Sequence, residues 1–370
     1  MDHVLLISGT RPEIVKLAPL YHAMKTDSTV AVSWLHTGQH DEMAQQMLDC
    51  FEITPDITLH RQGSTLAEFS AGCRQQLEEV LTRQRWSAAV VQGDTESAFQ
   101  GALAAFYNRV PVAHVEAGLR TYNLERPFPE EALRQMIGRL TRFHFAPTAR
   151  AQRALLAESI PARDIFVTGN TVVDAQQWIC RNKGIRRAVD GRGHLLVTVH
   201  RRENWGDDLE QICHAIADVA ASHPDLDVLF PVHLNPVVQG PVHTILAARP
   251  NIRLVAPLDY LRMQQALADA WLVLTDSGGL QEEAPTFGVP VLVLRHETER
   301  PEAVDAGCAV LAGTDRARIV EAVEGLWSDE NVYRLMARTG NPFGDGTACQ
   351  SICATLHRYF ANAPASTVAA

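Results

Sequence analysis

Three acidic side chains stand at or near the ends of short apolar runs in the first half of the sequence. They are Asp94, Glu116 and Glu130. In a doubly wound domain the carboxyl ends of the strands line the ligand crevice, where a carboxylate can act as a general base. Each acid also has a structural interpretation: Asp94 as a turn or N-cap residue, Glu116 as a partner of Arg120, and Glu130 in the first turn of a helix. For each acid taken singly the structural interpretation is favoured, but the three acids together indicate acid–base chemistry.

Two segments have the composition of phosphate-binding turns. Arg11 and Lys16 lie at the start of a helix that follows the first apolar run, and a helix N-terminus attracts anions. An ordinary strand-to-helix turn explains this segment equally well. In the second segment, Ser277-Gly278-Gly279, a hydroxyl and two glycines expose backbone N–H groups after another apolar run. Glu283, one turn further on, is placed to accept both hydroxyls of a ribose; a capped helix without a ligand is the weaker alternative.

Two histidines follow apolar runs in the second half. His200 precedes two arginines, a combination that suits phosphate binding or proton transfer. Standing alone, it would be interpreted as a hydrogen-bonded histidine at a strand end. The interpretation of His233 is less clear, because the Leu-Asn-Pro turn that follows it can require such a residue for structural reasons.

The formal net charge is −10, from 33 Lys and Arg residues against 43 Asp and Glu residues. Such a surface repels nucleic acid and anionic membranes, so we expect neither as a partner, and an anionic ligand must be bound by a local cationic cluster. Seven scattered cysteines without a C-x-x-C pair indicate reduced thiols and no metal site. Without a long apolar stretch or a basic leader segment, the sequence predicts a cytoplasmic protein.

Sequence motifs of several enzyme classes are absent. The chain has no G-x-G-x-x-G before a helix, no G-x-x-x-x-G-K-[ST], no H-E-x-x-H and no G-x-S-x-G. Dehydrogenases, P-loop nucleotide hydrolases, zinc proteases and serine hydrolases therefore lose support, and we expect no cofactor.

Apolar runs alternate with amphipathic stretches of helical spacing along the whole chain. Runs that are apolar at nearly every position are typical of parallel strands covered by helices on both faces. We therefore predict an α/β fold of two Rossmann-like doubly wound domains, residues 1–172 and 173–370, with mainly parallel sheets, the active site in the cleft between them, and the final helix packed back on the first domain. The predicted strands are 4–8, 30–36, 88–92, 110–115, 165–168, 194–199, 227–232, 252–256, 271–275, 289–294 and 308–312.

Together and in order, eight short motifs resemble those of the non-hydrolysing UDP-N-acetylglucosamine 2-epimerases. They are Gly9-Thr-Arg-Pro-Glu13, Gly93-Asp-Thr95, His114-Val-Glu-Ala-Gly-Leu-Arg120, Pro129-Glu-Glu131, Gly169-Asn-Thr171, His200-Arg-Arg-Glu203, Asp276-Ser-Gly-Gly279 and Glu299-Arg-Pro-Glu302. The resemblance implies a glycosyltransferase-B-like fold, a homodimer, and inversion at C2 of a UDP-sugar without NAD or metal. It also implies elimination of UDP to 2-acetamidoglucal followed by re-addition, in the synthesis of surface polysaccharide precursors.

The resemblance also assigns roles to individual residues. Asp94, Glu116, Glu130 and His200 match the catalytic positions of the family. The positions that match its substrate-binding site are Arg11, Lys16, Leu258, Met263, Ser277, Gly278, Gly279, Glu283 and Arg300. A possible second, activating UDP-sugar site would include Gln39, His40 and His233.

Four other functions stay open at this stage. A UDP-sugar glycosyltransferase shares the implied fold, although transfer with a single base would not need three acids. A UDP-sugar-binding regulator without catalytic activity is a further alternative, but it would not need the three acids or His200. An epimerase acting on a 2,3-diacetamido uronic acid nucleotide and a hydrolysing 2-epimerase that releases free N-acetylmannosamine are the nearest alternatives.

Two departures from the family pattern predict weak activation by UDP-N-acetylglucosamine. Asp41 follows His40 where relatives have Arg or Lys, and Ser64 replaces a glutamine. A carboxylate about 5 Å from a diphosphate costs on the order of 3 kcal/mol per charge pair at an effective dielectric of about 20, or about a hundredfold in affinity. We expect the conversion of UDP-N-acetylmannosamine to start without a lag. The alternative is that Asp41 points to solvent on a helix face. A long lag that a trace of UDP-N-acetylglucosamine abolishes would contradict this expectation.

Overall fold

The computed structural model describes residues 1–39, 42–188 and 192–362. The chain folds into two compact units. The first contains Met1–Trp178 and the C-terminal segment that begins at Gly344, and the second contains Ile179–Phe343. These bounds differ from the predicted division at residues 172 and 173, because the division falls within the helix Thr171–Lys183, whose first two turns belong to the first unit.

Parallel strands form the sheet of each unit. In the first unit the strands are β1 (Asp2–Ser8), β2 (Val30–His36), β3 (Ile57–Thr58), β4 (Ala88–Gln92), β5 (Val112–Val115), β6 (Phe143–Ala146) and β7 (Ile165–Val167). In the second they are β8 (His194–Thr198), β9 (Val228–Pro231), β10 (Ile252–Val255), β11 (Ala270–Thr275), β12 (Val291–Val293) and β13 (Ala309–Leu311). The strand orders are β3-β2-β1-β4-β5-β6-β7 and β10-β9-β8-β11-β12-β13.

Helices connect the strands and cover both faces of the sheets. They are α1 (Arg11–Lys25), α2 (Glu42–Cys50), α3 (Leu66–Arg83), α4 (Glu96–Tyr107), α5 (Glu130–Leu140), α6 (Ala149–Ala157), α7 (Thr171–Lys183), α8 (Asp207–Ser222), α9 (Pro236–Leu246), α10 (Tyr260–Asp269), α11 (Gly278–Glu283), α12 (Pro301–Asp305), α13 (Arg316–Ser328), α14 (Glu330–Arg338) and α15 (Ala348–Asn362). The final helix, α15, packs against α1 within the first unit. No helix in the described part of the chain is long and apolar enough to span a membrane.

The direction of strand addition reverses at the first strand of each unit. In the first sheet β1 lies between β2 and β4, and in the second β8 lies between β9 and β11. Ligands of doubly wound sheets bind outside the carboxyl ends of the strands at such a reversal. The fold therefore singles out the residues that follow β1 and β4, and those that follow β8 and β11.

Burial explains why the strands are apolar at nearly every position. Val4 to Ile7 on β1 and Leu272 to Leu274 on β11 are fully buried, because helices cover both faces of each sheet. Two short strands lie outside the predicted set. β3 is only two residues long, and in β6 the buried His144 interrupts the apolar pattern.

Candidate active site

Glu116 is the first residue after β5 and is held by a cation. Its φ is +66°, in the left-handed region that residues other than glycine rarely adopt. Lys16 Nζ, from α1, donates to both carboxylate oxygens at 2.7 and 2.6 Å, and Gln92 at the end of β4 donates to Oε2. The alternative pairing with Arg120 is wrong, because the Arg120 guanidinium contacts Glu158 at 2.6 and 3.0 Å.

Asp94 follows β4 and is held by a second cation. Its Oδ2 lies 2.5 Å from Nη2 of Arg134, which comes from α5. The alternative interpretation of Asp94 as the N-cap of a helix is wrong, because Thr95 caps α4 by accepting the Ala98 N–H at 3.1 Å. The structure thus places two candidate acids after adjacent strands, each with its own cation.

Glu130 is the first residue of α5, the helix that carries Arg134. Its side chain is half-buried. The predicted first-turn position is confirmed, and the helix joins this acid to the cation that contacts Asp94. Glu131 and Arg134 were not predicted as site residues. The Pro-Glu-Glu motif contains Glu131, and no motif contains Arg134.

A further buried acid, Glu13, closes the turn after β1. Its carboxylate accepts the N–H groups of Gly9 at 2.9 Å and Thr10 at 2.6 Å, and the Thr95 hydroxyl at 2.6 Å. A side chain at residue 9 would collide with the Ser97 hydroxyl, so only glycine fits the turn. Burial raises the pKa of Glu13 to about 7, although these donors act in the opposite direction.

The predicted anion-binding residues of this segment lie on α1. Arg11 is the first residue of the helix and is half-buried, whereas Lys16 is buried against Glu116. Lys16 therefore contacts a carboxylate within the protein, and that acid balances its charge.

In the second unit, His200 is oriented by the buried Asp276. Oδ1 of this aspartate lies 2.9 Å from His200 Nδ1, and its carboxylate also accepts the backbone N–H groups of His200 and Arg201 and the side-chain amide of Asn204. Burial acts to raise the pKa of Asp276, but these contacts outweigh it and the pKa lies below the ordinary value. His200 itself is 44% exposed, so Nε2 can face a ligand.

A pocket of about 530 Å³ opens beside His200. The predicted turn contributes to its wall, as do three arginines, two of them directly after His200. The lining residues are His200, Arg201, Arg202, Glu203, Ser277, Gly278, Gly279, Glu299 and Arg300. Such a wall of cations and exposed backbone N–H groups suits an anion of phosphate type.

Two further predicted residues of the second unit, Arg300 and Glu283, have partners within that unit. Arg300 donates through Nε to Glu282, which is 1% exposed. Glu283 accepts Gln264 Nε2 at 2.7 Å and is half-buried. Asp276 and Glu282 were missed as site residues, because the sequence does not reveal which acid contacts which base.

Leu258 and Met263 flank the start of α10. Leu258 precedes the helix by two residues and Met263 lies in its first turn, and both side chains are half-buried. They present apolar surface at the end of the connection that follows β10. Their role beside the nucleotide base stays a prediction.

The residues of the possible second site are found in different units. Gln39 Oε1 accepts the Ser97 N–H at 3.1 Å and the Ser97 hydroxyl at 2.6 Å. His233 is exposed, and its ring centroid lies 6.5 Å from that of His200. His40 and Asp41 lie outside the described residues.

The family model described as UDP-N-acetylglucosamine 2-epimerase matches residues 22–357. The chain belongs to the UDP-N-acetylglucosamine 2-epimerase family. The Yersinia pestis UDP-N-acetylglucosamine 2-epimerase is 46% identical over 372 residues, which cover 96% of this chain and 98% of the relative. The enzyme of the same name from Escherichia coli K12 is 45% identical, and the match covers 95% of this chain and 98% of the relative.

Solved structures of the same family share the fold. The UDP-GlcNAc 2-epimerase from Neisseria meningitidis, bound to UDP-GlcNAc, is 40% identical with a TM-score of 0.87 and covers 96% of this chain and 100% of its own. Acinetobacter baumannii MurG, at 15% identity and a TM-score of 0.62, shows the likeness of fold alone. The predicted family and the predicted fold class of two parallel α/β domains are confirmed.

We expect Glu13 to make stability depend on pH. Because its folded pKa of about 7 exceeds the reference value of 4.5, the folded chain binds more protons between these values, and the free energy of unfolding falls as pH rises through this range. Relative to Glu13→Gln, the parent should lose about 3 kcal/mol between pH 4.5 and 7. Urea unfolding of both proteins across this range measures the difference. A difference that is constant or grows with pH contradicts the assignment.

Proposed function

We propose that the protein is a non-hydrolysing UDP-N-acetylglucosamine 2-epimerase that interconverts UDP-N-acetylglucosamine and UDP-N-acetylmannosamine. The observation that carries the proposal is the pair of acids after β4 and β5, Asp94 held by Arg134 and Glu116 held by Lys16, with Glu130 on the helix that carries Arg134. Inversion at a carbon needs proton removal on one face and proton return on the other, which two or more positioned acids supply.

The reaction balances without an oxidant or reductant. A carboxylate of the first unit takes the C2 proton while the C1–O bond breaks, and the bond electrons leave with UDP as 2-acetamidoglucal forms. A protonated acid then returns a proton to C2 on the opposite face, and a diphosphate oxygen re-forms the bond to C1. Asp94, Glu116 and Glu130 are the proposed acid–base residues, and Arg11 and Lys16 stabilise negative charge near the sugar.

The diphosphate of UDP fits the pocket beside His200. We assign it to the Ser277 hydroxyl, the N–H groups of Gly278 and Gly279 and the guanidinium of Arg300, since charge accumulates on the diphosphate as C1–O breaks. Asp276 holds Nδ1 of His200 and leaves Nε2 for the leaving group. The uridine extends to Glu283, which accepts the ribose hydroxyls, and to Leu258 and Met263 beside the base.

One experiment separates epimerisation from its alternatives. The purified protein is incubated with UDP-N-acetylglucosamine in deuterated water and followed by NMR. We expect UDP-N-acetylmannosamine with deuterium at C2, without added NAD or metal. Free N-acetylmannosamine with UDP would establish the hydrolysing reaction instead, and a product that keeps its C2 proton would exclude the elimination route.

Single substitutions test the assigned residues. We expect Asp94→Asn, Glu116→Gln, Glu130→Gln and His200→Ala each to reduce kcat by about 10² or more, the size of loss typical of a positioned acid–base or charge-stabilising group. Glu125→Gln and His243→Ala, both exposed positions, are the matched controls and should keep parental turnover. A variant of the first set with parental kcat and an unchanged melting temperature removes that residue from the assignment.

We further propose that the UDP-N-acetylmannosamine serves as a precursor of surface polysaccharide and that the protein acts as a homodimer. Exposed aromatic side chains at the end of α4, Phe106 and Tyr107, are 51% and 62% exposed and provide apolar surface for a second copy. Light scattering should then give twice the chain mass of 40.8 kDa.

A further inference from the structure

Glu131 is a buried acid close to Asp94 that has no role in the proposed mechanism. Glu131 is fully buried and accepts the backbone N–H groups of Thr121 and Tyr122, both at 3.0 Å, and the Gln135 amide at 2.8 Å. Burial acts to raise the pKa of Glu131, but these donors and the Arg134 charge outweigh it and leave the pKa below its ordinary value. Glu131 is therefore an anchored negative charge inside the first unit.

Arg134 joins this anchor to Asp94. Its Nη1 lies 3.4 Å from Glu131 Oε2, and its Nη2 lies 2.5 Å from Asp94 Oδ2. The guanidinium is planar and rigid, so one arm fixes the direction of the other. The Arg134 side chain is 10% exposed and that of Asp94 is 27% exposed, so the acid reaches the surface while the cation stays behind it.

We propose that Arg134 is a positioning residue that holds the Asp94 carboxylate in the orientation needed for proton transfer at C2, with Glu131 as its buried anchor. The inference rests on the proposed function, because it assigns Asp94 to the proton transfer. Glu131 belongs to the Pro-Glu-Glu motif but acts through Arg134, whereas Glu130 beside it acts on the substrate. The Pro-Glu-Glu motif thus supplies one reacting acid, Glu130, and also the anchor that supports Asp94.

The geometry also separates this role from that of Lys16. Lys16 is a flexible point charge that donates to both oxygens of Glu116, whereas Arg134 contacts one oxygen of Asp94 with one arm and leaves Oδ1 free of that contact. A lysine at residue 134 would keep the positive charge but lose the two-armed link between Glu131 and Asp94. Positioning by geometry and neutralisation by charge therefore predict different results for Arg134→Lys.

The test compares single and double variants of the full-length protein in the deuterium exchange assay. We expect Arg134→Met to lower kcat about a hundredfold and Arg134→Lys about tenfold, with KM within about threefold of the parent in both. Arg139→Lys, an exposed position on the same helix, is the matched control and should keep parental kcat. Arg134→Lys keeps the buried charge balance, so the test does not depend on Arg134→Met folding well.

A double-variant cycle decides whether Arg134 acts through Asp94. If it does, Asp94→Asn/Arg134→Lys should be no more than about twofold slower than Asp94→Asn alone. A further tenfold loss in the double variant, or parental kcat in Arg134→Lys, overturns the positioning role. Parental kcat in Asp94→Asn would instead overturn the assignment of Asp94 in the proposed function, which makes the two failures distinguishable.

Discussion

The ion pair between Lys16 and Glu116 joins the three strands at the centre of the first sheet. Lys16 comes from the helix after β1, Glu116 from the residue after β5, and Gln92, which also donates to Glu116, ends β4. A buried carboxylate with this many donors can hold a left-handed backbone conformation that would otherwise cost about 1 to 3 kcal/mol. The strained residue keeps its carboxylate at the carboxyl ends of the strands, two strands from β1, where the strand order reverses.

In the second unit a buried acid, Asp276, joins the ends of two strands. Asp276 follows β11 and receives two backbone N–H groups from the chain after β8, so it links the two strands on either side of the reversal. The same carboxylate fixes the tautomer and direction of His200. In the second unit a buried carboxylate thus ties the end of β11 to the chain after β8, as the Lys16–Glu116 pair ties the helix after β1 to the end of β5 in the first unit.

The sequence was most informative where burial dictates composition. Strands covered on both faces must be apolar at nearly every position, so eleven of the described strands could be predicted. In contrast, β3 has only two residues, and β6 has only three apolar residues, divided by a histidine. Asp94 and Glu116 could be found because each follows an apolar run, whereas Glu130 does not follow a strand and begins α5. Their partners could not, since Arg134 lies 40 residues after Asp94 and Glu158 lies 38 residues after Arg120. Pairing depends on how helices pack over the sheet, which one sequence without relatives does not specify.

The acids of the first unit differ mainly in what contacts them. A cation contacts Glu116 and another contacts Asp94, whereas backbone N–H groups and a hydroxyl contact Glu13, and burial raises the pKa of Glu13 to about 7. An enzyme that removes a proton on one face and returns one on the other needs carboxyl groups in both protonation states at one pH. The Thr95 hydroxyl donates to Glu13 and accepts the Ala98 N–H, so the buried acid also holds the turn before α4. Cation partners and burial thus give carboxyl groups at the carboxyl ends of one sheet different electrostatic environments.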